Sequence, residues 1–372
     1  MSKPFGSGNF GEWITDEYGT CDQYLLEEKM PLTNKDSVWG DYRNHYAQTG
    51  NYRVVGIPSN FGYLKIRQDE GSCKFLNDWC PKEKQYAGGF GYFVTEDDVV
   101  STFYQEQENF ERIFGCGYFR KQIRQKDITV RQDLTVPFGD DPCVLSRGYI
   151  TNHSSEAVSG KWIEYWGTQM YQTSIRPFYA YGMLKIPQGT IYEVRKEFSR
   201  NFRKDFTDLE NGSVMKQVFE GYRYPEKDDQ IPSIQELNEL IPPEVGDSNY
   251  EDLDVPAMYV VSLDSDHPAK VTHDGQAFFA NEDLLHPAGV RENLADQGKD
   301  SFFLHTEVTV EPGQTVCLNY LIGYEAQGFP MEDMVRKYTR QVLWEPMMTA
   351  ESWKKDRIEI HIEGKIFQWD LI

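Results

Sequence analysis

A mainly β chain, a large antiparallel β-supersandwich followed by a short helical linker, is the fold class the sequence predicts. Three observations predict it. Residues 118–172 read as four consecutive strands separated by turn chemistry. Strand-like runs, dense in aromatics and punctuated by Gly and Pro, recur on both sides of that stretch. Helix chemistry gathers only late, at residues 330–338.

Taken in order, residues 1–70 are rich in Gly, Tyr, Trp and Asn. Residues 10–15 and 52–57 have strand character, and residues 58–62 carry a Pro-Ser-Asn-Phe-Gly turn after the second. Residues 87–93, AGGFGYF, set three Gly between aromatics. No Lys-Ser/Thr follows to make a phosphate loop, so a β-bulge or tight bend is expected. Residues 95–115 suggest a short strand and a turn.

The central stretch is the clearest. Ile128, Val130, Leu134 and Val136 form a period-two row broken only by Gln132, the mark of a strand with one buried face. Residues 137–142, PFGDDP, turn the chain, and residues 144–151 resume extended. Residues 152–156 turn again, and residues 158–166 return as an aromatic strand. Strands of this kind build sandwiches.

Residues 175–192 continue in β-like fashion, and Arg195, Lys196, Arg200, Arg203 and Lys204 follow as a basic cluster, read as a solvated face. Residues 225–256 hold ten acidic residues, one basic residue and five Pro, an acidic surface excursion. Ser233 and Glu236 fit a capping box for a short helix over 233–240. Residues 257–263 are a strand, residues 264–300 a loop-rich segment, and residues 302–324 a hairpin turning at Glu311-Pro312-Gly313-Gln314. Residues 330–338 begin with Pro, carry acids first and bases later, and make the linker helix.

The charge balance, 38 Lys and Arg against 59 Asp and Glu, is −21 and disfavours nucleic acid and anionic membrane as partners. Six Cys without CxxC spacing, no signal-peptide run and no span-length apolar stretch point to a cytoplasmic protein with free thiols. His267, His273 and His286 lack the spacing of a metal set, and neither metal nor other cofactor is expected.

One group of residues stands out for ligand chemistry. Alternation places Trp162, Glu164 and Trp166 on one strand face and Ile163 and Tyr165 on the other. Indoles beside a carboxylate suit an oligosaccharide, whose rings stack and whose hydroxyls bond the acid. A structural acid bonded to Arg or backbone groups is the competing reading of Glu164. His305 and Glu307 are a neighbouring pair of the kind an epimerase would need.

The phrase at 127–166, DITVRQDLTVPFGDDPCVLSRGYITNHSSEAVSGKWIEYW, the Gly/Tyr-rich opening and HTEVTVEPGQTVCLNYLIGY at 305–324 together resemble the N-terminal region of cellobiose and chitobiose phosphorylases, glycoside hydrolase family ninety-four, and their cyclic β-glucan relatives. The resemblance covers most of residues 1–340. It implies a supersandwich over 1–326, a linker over 327–350, and at 351–372 the start of an (α/α)6 barrel. It further implies that the catalytic carboxylate and phosphate site belong to that barrel, so no catalytic residue is assigned here. The expected role is a non-catalytic domain of a glycoside phosphorylase or hydrolase acting on β-glucosides, partnered by an oligosaccharide, by a missing or separate (α/α)6 barrel and, in a homodimer, by a second copy. The alternatives are a free-standing carbohydrate-binding module, or a sugar epimerase on a similar supersandwich.

Overall fold

The computed structural model describes residues 11–15, 22–26, 46–68, 74–105, 107–115, 117–168, 171–172, 202–220, 255–291, 296–340, 357–362 and 365–370. The readings made at 175–192, at Arg195, Lys196 and Arg200, at 225–254 and at Trp353 lie outside the described residues.

The labelled strands are β1 (Gly11–Thr15), β2 (Asp22–Leu26), β3 (Val54–Pro58), β4 (Leu64–Gln68), β5 (Gly88–Val94), β6 (Val99–Ser101), β7 (Phe110–Gly115), β8 (Tyr118–Gln125), β9 (Ile128–Thr135), β10 (Cys143–Asn152) and β11 (Val158–Gly167). They continue with β12 (Phe202–Leu209), β13 (Gly212–Phe219), β14 (Met258–Ser262), β15 (Ala269–Thr272), β16 (Ser301–Val310) and β17 (Thr315–Tyr324). Helix α1 (Met331–Arg340) follows.

These strands form a mainly β, antiparallel architecture. A ten-stranded sheet runs β1-β2-β7-β8-β9-β10-β17-β14-β13-β12, and a five-stranded sheet runs β6-β5-β11-β16-β15. A third, five-stranded sheet is built on β3 and β4 with short flanking strands. The apolar row of β9 faces inward: Val130 and Leu134 are both 0% exposed, and they pack with Phe119, Ile150 and Leu318 of neighbouring strands. Phe93, Trp162, Trp166, Phe302 and Leu304 of the five-stranded sheet complete this core.

The four strands of residues 118–172 are β8 to β11, but the fourth changes sheets. β10 pairs with β9 and β17, whereas β11 pairs with β5 and β16. The expected 302–324 hairpin is corrected in the same way. Its turn is real, with the Gln314 N–H donating to Glu311 O at 3.0 Å and Gly313 at φ +69°. Its strands do not pair with each other; β16 joins β11 and β15, and β17 joins β10 and β14. Both connections are therefore arches over the end of the sandwich, because each strand buries its apolar face against the opposite sheet.

Asn152 stitches the two arches together. Its Nδ2 donates to Val310 O at 2.9 Å and Glu156 O at 2.7 Å, and its Oδ1 accepts from Ser154 N and Oγ. The backbone exchanges bonds with Gln314 O and Gly313 N. Asn152→Ala strands these buried groups and is expected to cost about 1–3 kcal/mol. A denaturation midpoint indistinguishable from the parent's would exclude the stitch.

The Gly run at 87–93 bends as expected. Gly89 sits at φ +73°, and the β5–β11 register slips between Tyr165 and Trp166. Gly91 allows close approach, since a Cβ there would lie 2.4 Å from Trp162 Cζ2.

Helix α1 lies on the outer face of the ten-stranded sheet. Met331, Met334 and Tyr338 pack against Cys143, Leu145, Tyr259, Val261 and Leu321. Within residues 351–372, the segment that the resemblance assigns to the start of a helical barrel, Arg357–Ile362 pairs antiparallel with Lys365–Asp370. No helix among the described residues is long and apolar enough to cross a membrane.

Candidate functional site

Two polar constellations occupy opposite faces of the ten-stranded sheet. The inner one contains the residues singled out from sequence. Trp162, Glu164 and Trp166 do share one face of β11, with Ile163 and Tyr165 on the other, but all three are 0% exposed. They form no surface platform for sugar rings, because that face of the five-stranded sheet is the one covered by the ten-stranded sheet.

The carboxylate of Glu164 is instead the acceptor of an interior network. Trp162 Nε1 donates at 3.1 Å, Trp166 Nε1 at 3.0 Å and Ser146 Oγ at 2.7 Å. Gln132 Nε2 lies 3.0 Å from both oxygens. Indole N–H groups can only donate, so this shell suits the ionised acid. On the far side of Gln132 stands Lys121. Its ammonium donates to Gln132 Oε1 at 2.8 Å, to Gly62 O at 2.7 Å and to Gly89 O.

Three N–H donors meet three acceptors, and the Gln132 amide lies with its oxygen toward the cation and its nitrogen toward the anion. Burial opposes both charges. It pushes Glu164 up to about 7, against the bonds from Ser146 and the charge of Lys121. It pushes Lys121 down to about 7, against Glu164 and Asp133. The network spans the ten-stranded sheet, the five-stranded sheet through Gly89 and the turn before β4 through Gly62.

The outer constellation is a cross-strand row. Arg120 of β8 is in register with Asp133 of β9, Asp133 with Arg147 of β10, and Arg147 with Asn319 of β17. Arg120 forks onto Asp133 at 2.8 and 3.1 Å, and Arg131 reaches the same carboxylate at 2.6–3.1 Å. Burial alone would raise the Asp133 carboxyl, but the hydrogen bonds of Arg131 and the charge of Arg120 outweigh it and hold it below its ordinary value.

At the other end, Asp264 accepts from Asn319 N at 2.6 Å and Nδ2 at 2.8 Å. Burial raises its carboxyl against those bonds. Beside it a cavity of about 10 Å³, room for about one water, is lined by Leu145, Arg147, Leu263, Asn319 and Tyr338. The row reaches solvent at Arg131, whose side chain is 22% exposed and whose guanidinium lies 4.8 Å from the Tyr149 ring centroid.

The histidines do not converge. His273 is buried between Asp208 Oδ1 at 2.8 Å and Ser301 O at 3.1 Å, while His286 is exposed beside Asp283. No group of three or more metal-ligating side chains occurs among the described residues. His305 bonds Thr272 Oγ1 at 2.9 Å, and burial, aided by Lys161 and Lys270, pushes it down to about 3. It is therefore neutral near pH 7 and poorly suited to act as a general acid. Of the basic cluster, Arg203 is exposed and pairs with Asp205 and Glu220.

Sequence reasoning found Glu164 and noticed Gln132 as the break in an apolar row, but did not link them. It missed Lys121, Ser146 and the whole outer row. The available signal for that row was Arg131 and Asp133 alternating with the apolar positions of β9.

No family model matches the chain, and no curated protein matches it. Among solved structures, it resembles a human-microbiome protein described as a kojibiose phosphorylase at 9% identity and a TM-score of 0.42, over 96% of this chain and 40% of that one. A polysaccharide lyase is similar at 8% identity and 0.36, over 78% and 34%. An Escherichia coli K12 protein described as an aldose 1-epimerase is similar at 9% identity and 0.34, over 76% and 99%. The chain thus spans well under half the length of the first two. All three are sugar-active enzymes by description.

Proposed function

We propose that this chain is the non-catalytic β-supersandwich domain of a carbohydrate-active protein. In this reading it supports a separate (α/α)6 barrel that carries out phosphorolysis or hydrolysis of β-glucosides in the cytoplasm. Its partners are an oligosaccharide, that barrel and, in a homodimer, a second copy.

The observation that supports it is how the central carboxylates are engaged. Glycosidic cleavage uses a pair of carboxyl groups about 5–10 Å apart across an open sugar site, one of them free to move a proton. Glu164 is sealed inside and holds Trp, Ser and Gln donors, and Asp133 is clamped as an anion by two guanidiniums. Trp162, Glu164 and Trp166 shape the sandwich in this reading and do not touch saccharide.

The purified chain, incubated with cellobiose or p-nitrophenyl β-glucoside with and without phosphate, is expected to release no glucose or glucose 1-phosphate above the protein-free control. Turnover that disappears in Asp264→Asn would overturn the reading and assign the chemistry to the outer face.

A further inference from the structure

Tyr46 is 48% exposed, one of the few large aromatic side chains so open among the described residues. It is nonetheless fixed in place. Its hydroxyl lies 3.2 Å from that of Tyr63, which is 1% exposed. Tyr63 stacks on Trp79 with centroids 4.6 Å apart and 17° between planes, and Trp79 stacks on Phe103 at 5.8 Å and 6°. The exposed ring is thus the outer end of an aromatic column rooted in the core.

Beside it stands a half-open ion pair. Lys65 Nζ is 5.7 Å from the Tyr46 centroid and 5.9 Å from that of Phe75, within cation–π range. The same nitrogen is 2.9 Å from Asp78 Oδ1, and the two side chains are 22% and 17% exposed. The backbone N–H of Trp79 anchors Asp78 at 2.7 Å.

We infer that Tyr46, Lys65 and Asp78 form a saccharide-binding platform on the third sheet. The Tyr46 ring stacks on the apolar face of a pyranose, Lys65 donates to ring hydroxyls, and Asp78 accepts from them. A pyranose with equatorial hydroxyls, such as a β-glucosyl unit, has the matching shape: an apolar face with a polar rim. A hydrophobic protein partner would call for a contiguous apolar patch, whereas the neighbours here are a cation and an anion. Because the ring and both charges are already held, little ordering entropy opposes binding. The inference rests on the carbohydrate reading proposed above and names a binding site for it.

The test is calorimetric titration of the full chain with cellotetraose, laminaritetraose and xylotetraose. Tyr46→Ala is expected to weaken the best of them by about tenfold or more, the scale of losing one aromatic contact. Tyr46→Phe keeps the ring and is expected to stay within about threefold of the parent, while Asp78→Asn falls between the two. Thermal melts coincident with the parent's establish that each variant is folded. Parent-like affinity in both Tyr46→Ala and Asp78→Asn overturns the platform but leaves the carbohydrate reading standing. No heat from any of the three sugars overturns the platform, and the proposed oligosaccharide partner with it.

Discussion

Lys121→Met is expected to destabilise the protein by about 3–5 kcal/mol, because it leaves the carboxylate of Glu164 in the core without its cation. The loss is read as a shift of the denaturation midpoint at constant slope. Glu164→Gln, which sets an amide N–H₂ among the Trp162, Trp166 and Ser146 donors, is expected to cost about 1–3 kcal/mol. The double variant is expected to be less damaged than the two single losses added together, since neither charge then remains uncompensated. Strict additivity would show that the Gln132 amide does not couple the two groups.

The same pair sets a pH signature. The Glu164 carboxyl is raised from 4.5 to about 7, so its contribution is fully present below 4.5 and lost as pH rises through about 7. The Lys121 amine is lowered from 10.5 to about 7, so its contribution is present above 10.5 and lost as pH falls through about 7. The margin of the parent over the double variant is therefore smallest near neutrality and grows toward pH 5 and pH 9. A margin that peaks at pH 7 contradicts this assignment.

Much of the fold was legible because period two is a local property. Ile128, Val130, Leu134 and Val136 announced a strand with one buried face, and the alternation of Trp162, Glu164 and Trp166 gave their common side correctly. Alternation names a face but not what covers it. An acid between two indoles reads alike whether the face meets water or another sheet, so the buried setting of Glu164 was not legible. Nor was the partner of a strand. The turn at 311–314 would serve a hairpin or an arch equally, and the choice depends on β10 and β11, more than 140 residues earlier. The inner network joins Gly62, Gly89, Lys121, Gln132, Ser146 and Glu164, and the outer row joins four strands. Constellations assembled by long-range pairing leave no short motif.

Removing the carboxylate of Asp133 is expected to be the most damaging change on the outer face. Asp133 is 0% exposed and is shared by Arg120 and Arg131, so Asp133→Ala takes away the anion to which both guanidiniums are forked. Breaking a buried ionic cluster on one side costs about 3–5 kcal/mol. Asp133→Asn keeps the shape and one acceptor and is expected to lose less. The acid limb separates charge from shape. The Asp133 carboxyl is held below its ordinary 3.8, so its contribution is present above that value and is lost as pH falls through the lower, folded one. The parent is expected to show this additional loss of stability below about pH 4, and Asp133→Asn to lack it. Arg131→Gln supplies the complementary measurement: with one of its two guanidiniums gone, the carboxyl is less strongly held and the acid step moves to higher pH. An unchanged acid limb in both variants, or an Asp133→Ala protein within about 0.5 kcal/mol of the parent, the range of an ordinary surface substitution, would mean that the row is held by its backbone pairing and not by its charges.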